Sequence, residues 1–599
     1  MARRIIRRGQ TMTKNEFTLL YAIKKYGMQS HRKIRDIASL STGYISQTIK
    51  EFRDKGWVDE EGVTEKGLEA LLPFKADNAI IMAAGMSTRF VPISLEKPKG
   101  LLVVKNEVLI ERQIEQLQDA GINEIVLVLG YKKEAFFYLE DKFEGIKIII
   151  NPEYNTKNNT HTLYLAQKYI KNSYICSSDD YFEENPFEEY VYQSYYASVH
   201  VTEKTNEWYM IPDSKGNIAK VQKSGEDGFI MLGHVYWDRH FSAGMIGLLN
   251  EDHGVGDYDG VLWEQVLAEH VKDLPPMEIK EYAADAIFEF DSLDELRAFD
   301  SNYVNHTHSK IMKNIAKVLD CKESDILNFK TIKEGLTNTS FVFEVAGKKY
   351  VYRHPGEGTE TIISRPHEKK ALELAKSIGV DPTFIYMDEK AGWKLSSFVE
   401  GIRVPLYDNF EDSKRVLDVL RKLHKRKLSV DWSFLPWEEA GKIEVMLRSS
   451  KDGIADTEFD KLKEQVEKCY KKCRGDGVEM CFCHCDTYAP NWMLTDTDTV
   501  LIDWEYAGNA DPGCDIGTYI MDSMWEVEDA KKFINEYCGD DVTEAQMFHY
   551  LAYTAILSYY WYVWALYREA CGAVMGESLY NWHVMAKRYS KYLVKEFDL

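Results

Sequence analysis

His484-Cys485-Asp486-Thr487-Tyr488-Ala489-Pro490-Asn491 stands ahead of Leu501-Ile502-Asp503-Trp504-Glu505-Tyr506. A site that moves a phosphoryl group onto a hydroxyl needs one Asp to orient and deprotonate that hydroxyl. It also needs an Asn and a second Asp to hold Mg2+ against the phosphates. Asp486, Asn491 and Asp503 supply all three in order, on one loop and the adjacent strand. Upstream, Glu334-Gly335-Leu336-Thr337-Asn338-Thr339 lies between strand-like runs, where a loop covering phosphates belongs. It offers Thr337 and Asn338 as nucleotide contacts.

A second stretch reads Ala83-Ala84-Gly85-Met86-Ser87-Thr88-Arg89 and continues to Lys97-Pro98-Lys99-Gly100-Leu101-Leu102. An apolar strand ending in small residues lets backbone N–H groups close on phosphate oxygens as an anion nest. Ala83, Ala84, Gly85 and Ser87 are therefore expected against a nucleotide. Arg89 and Lys99 add the charge that a triphosphate and its departing pyrophosphate require.

These side chains need scaffolds to hold them. From Asn78 to about Asp300, short apolar runs (AIIMAAG, EIVLVLG, IKIIIN, SYICSSDD) alternate with helical stretches. That alternation predicts an α/β domain with a largely parallel sheet. After a helical connector, a further segment starts near Asn305 with strand-like runs at Ser340–Ala346 and Lys349–Arg353, and turns mainly helical after Glu411. Ahead of both, Phe17, Leu19, Leu20 and Ile23 share one helical face, and Ile34, Ile37 and Ala38 begin a second helix. Ser41–Lys55 forms a third with a basic outer face, Gly56 stops it, and Trp57-Val58 with Val63-Thr64 flank an acidic turn as a small wing. The resulting division is 1–75, 76–304 and 305–599.

Each segment resembles a known family. The head is similar to winged helix-turn-helix domains, whose third helix can enter a DNA major groove; packing or dimerisation is the alternative use. The AAGMSTR…KPK signature resembles sugar-phosphate and alditol-phosphate nucleotidyltransferases (Rossmann-like, GT-A type), with Ser87 where many relatives carry a second Gly. The resemblance implies Mg2+ on Asp179, in Ser177-Ser178-Asp179-Asp180 at a strand end, with Glu264 as second ligand. Asn206-Glu207-Trp208-Tyr209, Tyr236-Trp237 and Trp263 crowd the acceptor region. A quaternary ammonium donates no hydrogen bonds and is held by aromatic faces and a carboxylate, so Glu207, Trp208, Trp237 and Trp263 are expected around it. With the loop motif, these segments resemble bacterial CTP:phosphocholine cytidylyltransferases.

The C-terminal motifs resemble the choline/ethanolamine and aminoglycoside kinases, a protein-kinase-like α+β fold. The resemblance implies that Arg353 reaches the ATP phosphates, paired with Glu368. Ile502-Asp503-Trp504-Glu505-Tyr506-Ala507 is similar to the choline kinase form of the metal motif. Trp561 and Trp564 lie on one face of a helix and match that family's aromatic pair, with Glu505, Asp522 and Trp525 expected to complete the pocket. Joined, the segments imply choline and ATP giving phosphocholine, then phosphocholine and CTP giving CDP-choline. Ethanolamine as substrate, and a regulator that senses choline or nucleotide, stay as alternatives.

Composition is compatible with these readings. With 45% hydrophobic and 28% charged residues and 15 Pro among 599, the chain is globular and multidomain. A net charge of −22 argues against wrapping nucleic acid as a whole. Yet residues 1–58 hold 13 Lys/Arg against 4 Asp/Glu, a basic head on an acidic body. Tyr550–Tyr567 is Tyr- and Trp-rich and followed by Arg568 and Glu569, which reads as a buried helix and not a membrane span. The ten Cys, scattered apart from Cys469, Cys473, Cys481, Cys483 and Cys485, fit reduced thiols in the cytoplasm.

Overall fold

The computed structural model describes residues 12–599 apart from 253–257, 259, 334–337, 357–363, 451–452 and 540–541. It divides into two compact units, Met1–Ser324 and Asp325–Leu599. The expected boundary after residue 304 falls inside the first unit for a local reason. Lys310 N–H donates to Glu96 Oε1 at 2.8 Å. Glu323 accepts from Thr307 N–H at 2.8 Å through its side chain, and its carbonyl accepts from Arg297 at 2.6 Å.

The first unit opens with helices α1 (Lys14–Tyr26), α2 (His31–Ala38) and α3 (Thr42–Asp54). Thr13, Ser30 and Ser41 cap them, Thr13 in a capping box with Glu16. Phe17, Leu19, Leu20, Ile23, Ile34, Ile45, Ile49 and Phe52 bury the shared face. The expected wing is reduced to one bridge, Val58 against Val63. Lys14 pairs with Glu278 at 2.8 Å, and Phe17 packs on Tyr192 at 5.5 Å, so this helical region is seated on the α/β part.

The α/β part contains strands β1 (Asn78–Ala83), β2 (Ile125–Leu129), β3 (Ile146–Ile150), β4 (Ser173–Ser177), β5 (Asp180–Phe182), β6 (Tyr195–Val201), β7 (Thr205–Pro212), β8 (Ile218–Gly225) and β9 (Gly228–Trp237). Helix α4 (Trp263–His270) and strands β10 (Glu278–Tyr282) and β11 (Ile287–Glu289) follow. Nine strands form one sheet in the order β8-β7-β9-β4-β1-β2-β3, with β6 beside β9 and β10 beside β6. β4, β1, β2 and β3 are parallel. The apolar runs of the central strands β1 and β2 are buried on both faces, as interior parallel strands require, whereas edge strand β3 is partly exposed. The chain crosses from β1 outward on both sides, so the carboxyl ends of β1 and β4 frame a crevice where ligands bind in such sheets.

The second unit begins with an antiparallel sheet of β12 (Ile326–Lys333), β13 (Asn338–Val345), β14 (Lys348–Pro355), β15 (Phe384–Met387) and β16 (Lys394–Ser397), in the order β12-β13-β14-β16-β15. Helix α5 (Arg365–Ser377) lies between β14 and β15 in the chain. The helical remainder includes α6 (Phe410–His424), α7 (Gly513–Ser523), α8 (Glu544–Ala570) and α9 (Glu577–Glu596) around one large core. Tyr550–Tyr567 is the buried middle of α8. No helix among the described residues is long and apolar enough to cross a membrane.

Candidate functional sites

At the end of β1, Ala83 and Ala84 are buried, and Ser87 takes a left-handed backbone with φ +49. A glycine would enter that conformation more freely, so the loop carries the backbone cost that its Ser implies. Gly100 is constrained differently, because a Cβ there would sit 2.8 Å from Ser178 Oγ. The Lys99-Gly100 turn therefore closes on the loop after β4, and with the β1 loop they surround a cavity of about 90 Å3 lined by Ala83, Gly85, Ser87, Lys99 and Asp179.

Lys99 Nζ lies 2.6 Å from Asp179 Oδ2, and Ser177 Oγ donates to the other Asp179 oxygen at 2.6 Å. Burial raises the Asp179 carboxyl, but Lys99 outweighs it and the net shift is downward. Burial likewise works against the Lys99 ammonium, and Asp179 reverses it. Arg89 is exposed and bonds Asp291 at 2.6 Å. Both cations thus meet carboxylates at the mouth of the nest.

Two acidic residues of this cluster were missed by sequence reasoning. Antiparallel pairing sets Glu289 opposite Asp180, and Asp291 then lies 3.9 Å from Lys99. Desolvation on its inner side, then the Asp179 charge, raises the Glu289 carboxyl although the residue keeps an exposed surface. Burial, then the charges of Glu289 and Asp179, raises Asp180 well above the usual range, and among the described residues no side chain or backbone group lies in good hydrogen-bond geometry to either of its oxygens. Glu289-Phe290-Asp291 sits more than a hundred residues from Asp179, and only strand pairing brings them together.

Glu264 is not part of that group. Its carboxylate bonds Asn159 at 3.3 Å and is set beside Tyr196, where burial holds it near 7. The aromatic expectation also changes. Trp237 and Trp263 are 0% and 2% exposed and pack edge to face at 5.3 Å within the core. Glu207 is exposed, and Trp208 lies under the Lys223 ammonium. None of the four lines the small cavity. Trp237→Ala should accordingly cost about 3–5 kcal/mol of stability, read by denaturant unfolding. The folded fraction should retain its acceptor KM.

In the second unit, one cavity of about 730 Å3 is lined by Asn338, Arg353, Asp486, Asn491, Asp503, Glu505, Asp522, Trp561 and Trp564. Thr337 lies outside the described residues. Arg353 ion-pairs with Glu368 of α5, which Arg365 also meets at 3.1 Å, and reaches Asp503 at 2.9 Å. Asn491 Nδ2 donates to the Asp486 carboxylate at 3.0 Å and to its backbone carbonyl at 2.8 Å. Burial, then the charges of Asp503 and Glu505, lifts the Asp486 carboxyl well above its ordinary value.

The loop carrying Asp486 is pinned from beneath. Buried Asp515 accepts from the backbone N–H groups of His484 and Cys485 at 3.1 and 2.6 Å and pairs with His424 at 2.8 Å. Cys485 and Asp503 hold left-handed conformations at φ +68 and +70. Strain at two positions flanking one cavity marks a preorganised site.

The aromatic end of the cavity is larger than expected. Trp561 stands 5.4 Å from Trp564, 5.5 Å from Tyr506 and 5.7 Å from Trp582, and all four rings line the cavity. Tyr506 adjoined the motif already recognised; Trp582 on α9 had no local signal. Two assignments are corrected. Trp525 packs among Tyr407, Tyr519 and Phe533 and does not line the cavity. Glu505 does, but with Glu368 and Asp503 its oxygens fall within 4.8 Å of one another, placing it at the phosphate end. Asp522 accepts from Ala489 N–H at 2.9 Å and from the Tyr407 hydroxyl.

Fold and sites together define a two-site group-transfer enzyme, with a nucleotidyl-transfer nest in one unit and a kinase-type phosphotransfer cavity in the other. Residues 78–205 match the nucleotidyl transferase family, and residues 328–549 match the phosphotransferase enzyme family. The chain belongs to the nucleotidyl transferase family, through its cytidylyltransferase members. A choline-phosphate cytidylyltransferase of Streptococcus pneumoniae is 32% identical over 219 residues, 37% of this chain and 95% of that protein. A 2-aminoethylphosphonate cytidylyltransferase of Lancefieldella rimae is 32% identical over 230 residues, 38% of this chain and 93% of that protein. The crystal structure of a choline kinase from Streptococcus pneumoniae is similar at 24% identity and TM-score 0.41, covering 48% of this chain and 99% of that one. Neither family match reaches residues 1–75.

Proposed function

We propose that the second unit phosphorylates choline with ATP and that the first transfers CMP from CTP to the resulting phosphocholine, releasing pyrophosphate. The observation that carries the reading is the ring of Tyr506, Trp561, Trp564 and Trp582 in the same cavity as Asp486. Aromatic faces attract a quaternary ammonium by about 0.5–2 kcal/mol each according to desolvation. Held there, choline points its hydroxyl toward the carboxylate that accepts the proton. Asn491 orients that carboxylate, and Arg353 offsets the phosphate charge. In the first unit, the β1 loop and Lys99 hold the triphosphate, and Arg89 meets it from the solvent side.

Both acidic clusters suit Mg2+, a cation that takes oxygen ligands. Among the described residues, Asp180 has two buried oxygens without a group in good hydrogen-bond geometry, and Glu505 Oε2 is buried without one. Asp179, Asp180, Glu289 and Asp291 would hold the ion in the first unit, and Asn491, Asp503 and Glu505 in the second. When bound, it supplies charge neutralisation on the phosphates. For residues 12–75 we infer a winged-helix arrangement with a shortened wing, used for DNA contact or dimerisation. Three side-chain-capped helices packed on one shared apolar face support that reading.

Incubating the protein with choline, ATP, CTP and Mg2+ and following phosphorus NMR should show phosphocholine and then CDP-choline. Ethanolamine should turn over more slowly, because a primary ammonium is better hydrated and fills the ring of aromatics less. Equal rates would remove the case for an aromatic cage selecting trimethylammonium, and faster turnover of ethanolamine would favour a primary amino-alcohol.

A further inference from the structure

Lys394 opens β16 directly across the ladder from Arg353 on β14, and both side chains line the 730 Å3 cavity. It is only 9% exposed. Asp503, Glu368 and Asp381 act on it through space, without a hydrogen bond. Those carboxylates are otherwise engaged. Asp381 accepts from the N–H and hydroxyl of Thr383 at 3.1 and 2.6 Å, Glu368 is shared by Arg353 and Arg365, and Asp503 accepts from Arg353. A buried ammonium without a bonded anion is costly, and burial together with the neighbouring Arg353 charge draws it toward neutrality. It lines the cavity.

We propose that Lys394 is a second phosphate-binding cation of this site, meeting the phosphates of a nucleoside triphosphate beside Arg353. Strand register explains the arrangement. Paired residues on adjacent strands project to the same face, so Arg353 and Lys394 present two cationic side chains to one cavity. The Arg is locked by Glu368, whereas the Lys is a compact point charge able to follow a phosphate. The proposal rests on the reading that this cavity takes a nucleotide. It is independent of which alcohol is phosphorylated.

The test is direct binding of ATP, ADP, AMP and adenosine to the full chain, comparing wild type with Lys394→Met, Lys394→Gln and Lys394→Arg. Removing one charge-assisted contact should weaken ATP about 10- to 100-fold, with adenosine within twofold, and the penalty should grow with phosphate number. Lys394→Arg should restore most of the loss. Thermal melting identifies any variant that does not fold, and Lys394→Gln serves if Lys394→Met fails. An equal loss for ATP and adenosine, or unchanged ATP binding, would overturn the proposal. A wild-type chain that binds ATP but leaves choline unphosphorylated would instead refute the proposed substrate and leave Lys394 in place.

Discussion

Asp486→Asn should lower choline phosphorylation about 10²- to 10⁴-fold, the usual contribution of a positioned general base. The substitution keeps the shape of the side chain and its contact with Asn491 while removing the proton acceptor. It also removes one negative charge from a cluster that already contains Asp503 and Glu505, so nucleotide binding should hold or tighten. The loss must therefore appear in kcat and not in the KM for ATP. CMP transfer to added phosphocholine should be unchanged, because that chemistry sits in the other compact unit. If both activities fell while the chain stayed folded, the assignment of two separable sites would be wrong. Coupled assays on one preparation read both rates.

The complementary result is expected from Lys99→Met, which should lower CMP transfer about 10²- to 10³-fold, as loss of one preorganised electrostatic contact does elsewhere. Lys99 is 6% exposed and bound to Asp179, so little water can replace its charge. Arg89→Ala should cost less, since its side chain is 77% exposed and screened by solvent. Removing Lys99 also leaves Asp179 buried beside Asp180 and Glu289. Some loss of stability in the first unit is expected, and melting curves measure it separately. Choline phosphorylation by the same sample should persist and reports the active enzyme concentration. A Lys99→Met chain that turned over CTP normally would exclude Lys99 from the site.

The legible parts of this protein were local. Ala83–Arg89 and Lys97–Lys99 are loops between strongly apolar runs, and their chemistry follows from small residues and charge at short range. His484–Asn491 and Asp503 are likewise adjacent loop and strand, so order and spacing were enough to identify a phosphotransfer set. The capped helices of the head and the buried Tyr-rich helix α8 also declared themselves through periodicity and composition.

What spacing could not reveal were partners brought together by sheet pairing and helix packing. Glu264 held the position that the family resemblance implies for a second ligand, yet β5–β11 pairing delivers Glu289 and Asp291 to Asp179 instead. Trp237 and Trp263 had the composition of a cation cage, but the same apolar rings serve equally as core, and the sheet buries them. Trp525 and Trp582 exchanged roles for the same reason: helix α9 carries Trp582 to Trp561, while Trp525 turns into the Tyr407–Tyr519–Phe533 cluster. Lys394 had no motif at all, and only its register opposite Arg353 brings it to the cavity. Residue type and short spacing determine which reactions the chain can perform. Long-range pairing decides which carboxylates and aromatic rings take part, because burial makes an identical side chain either a core filler or a ligand contact.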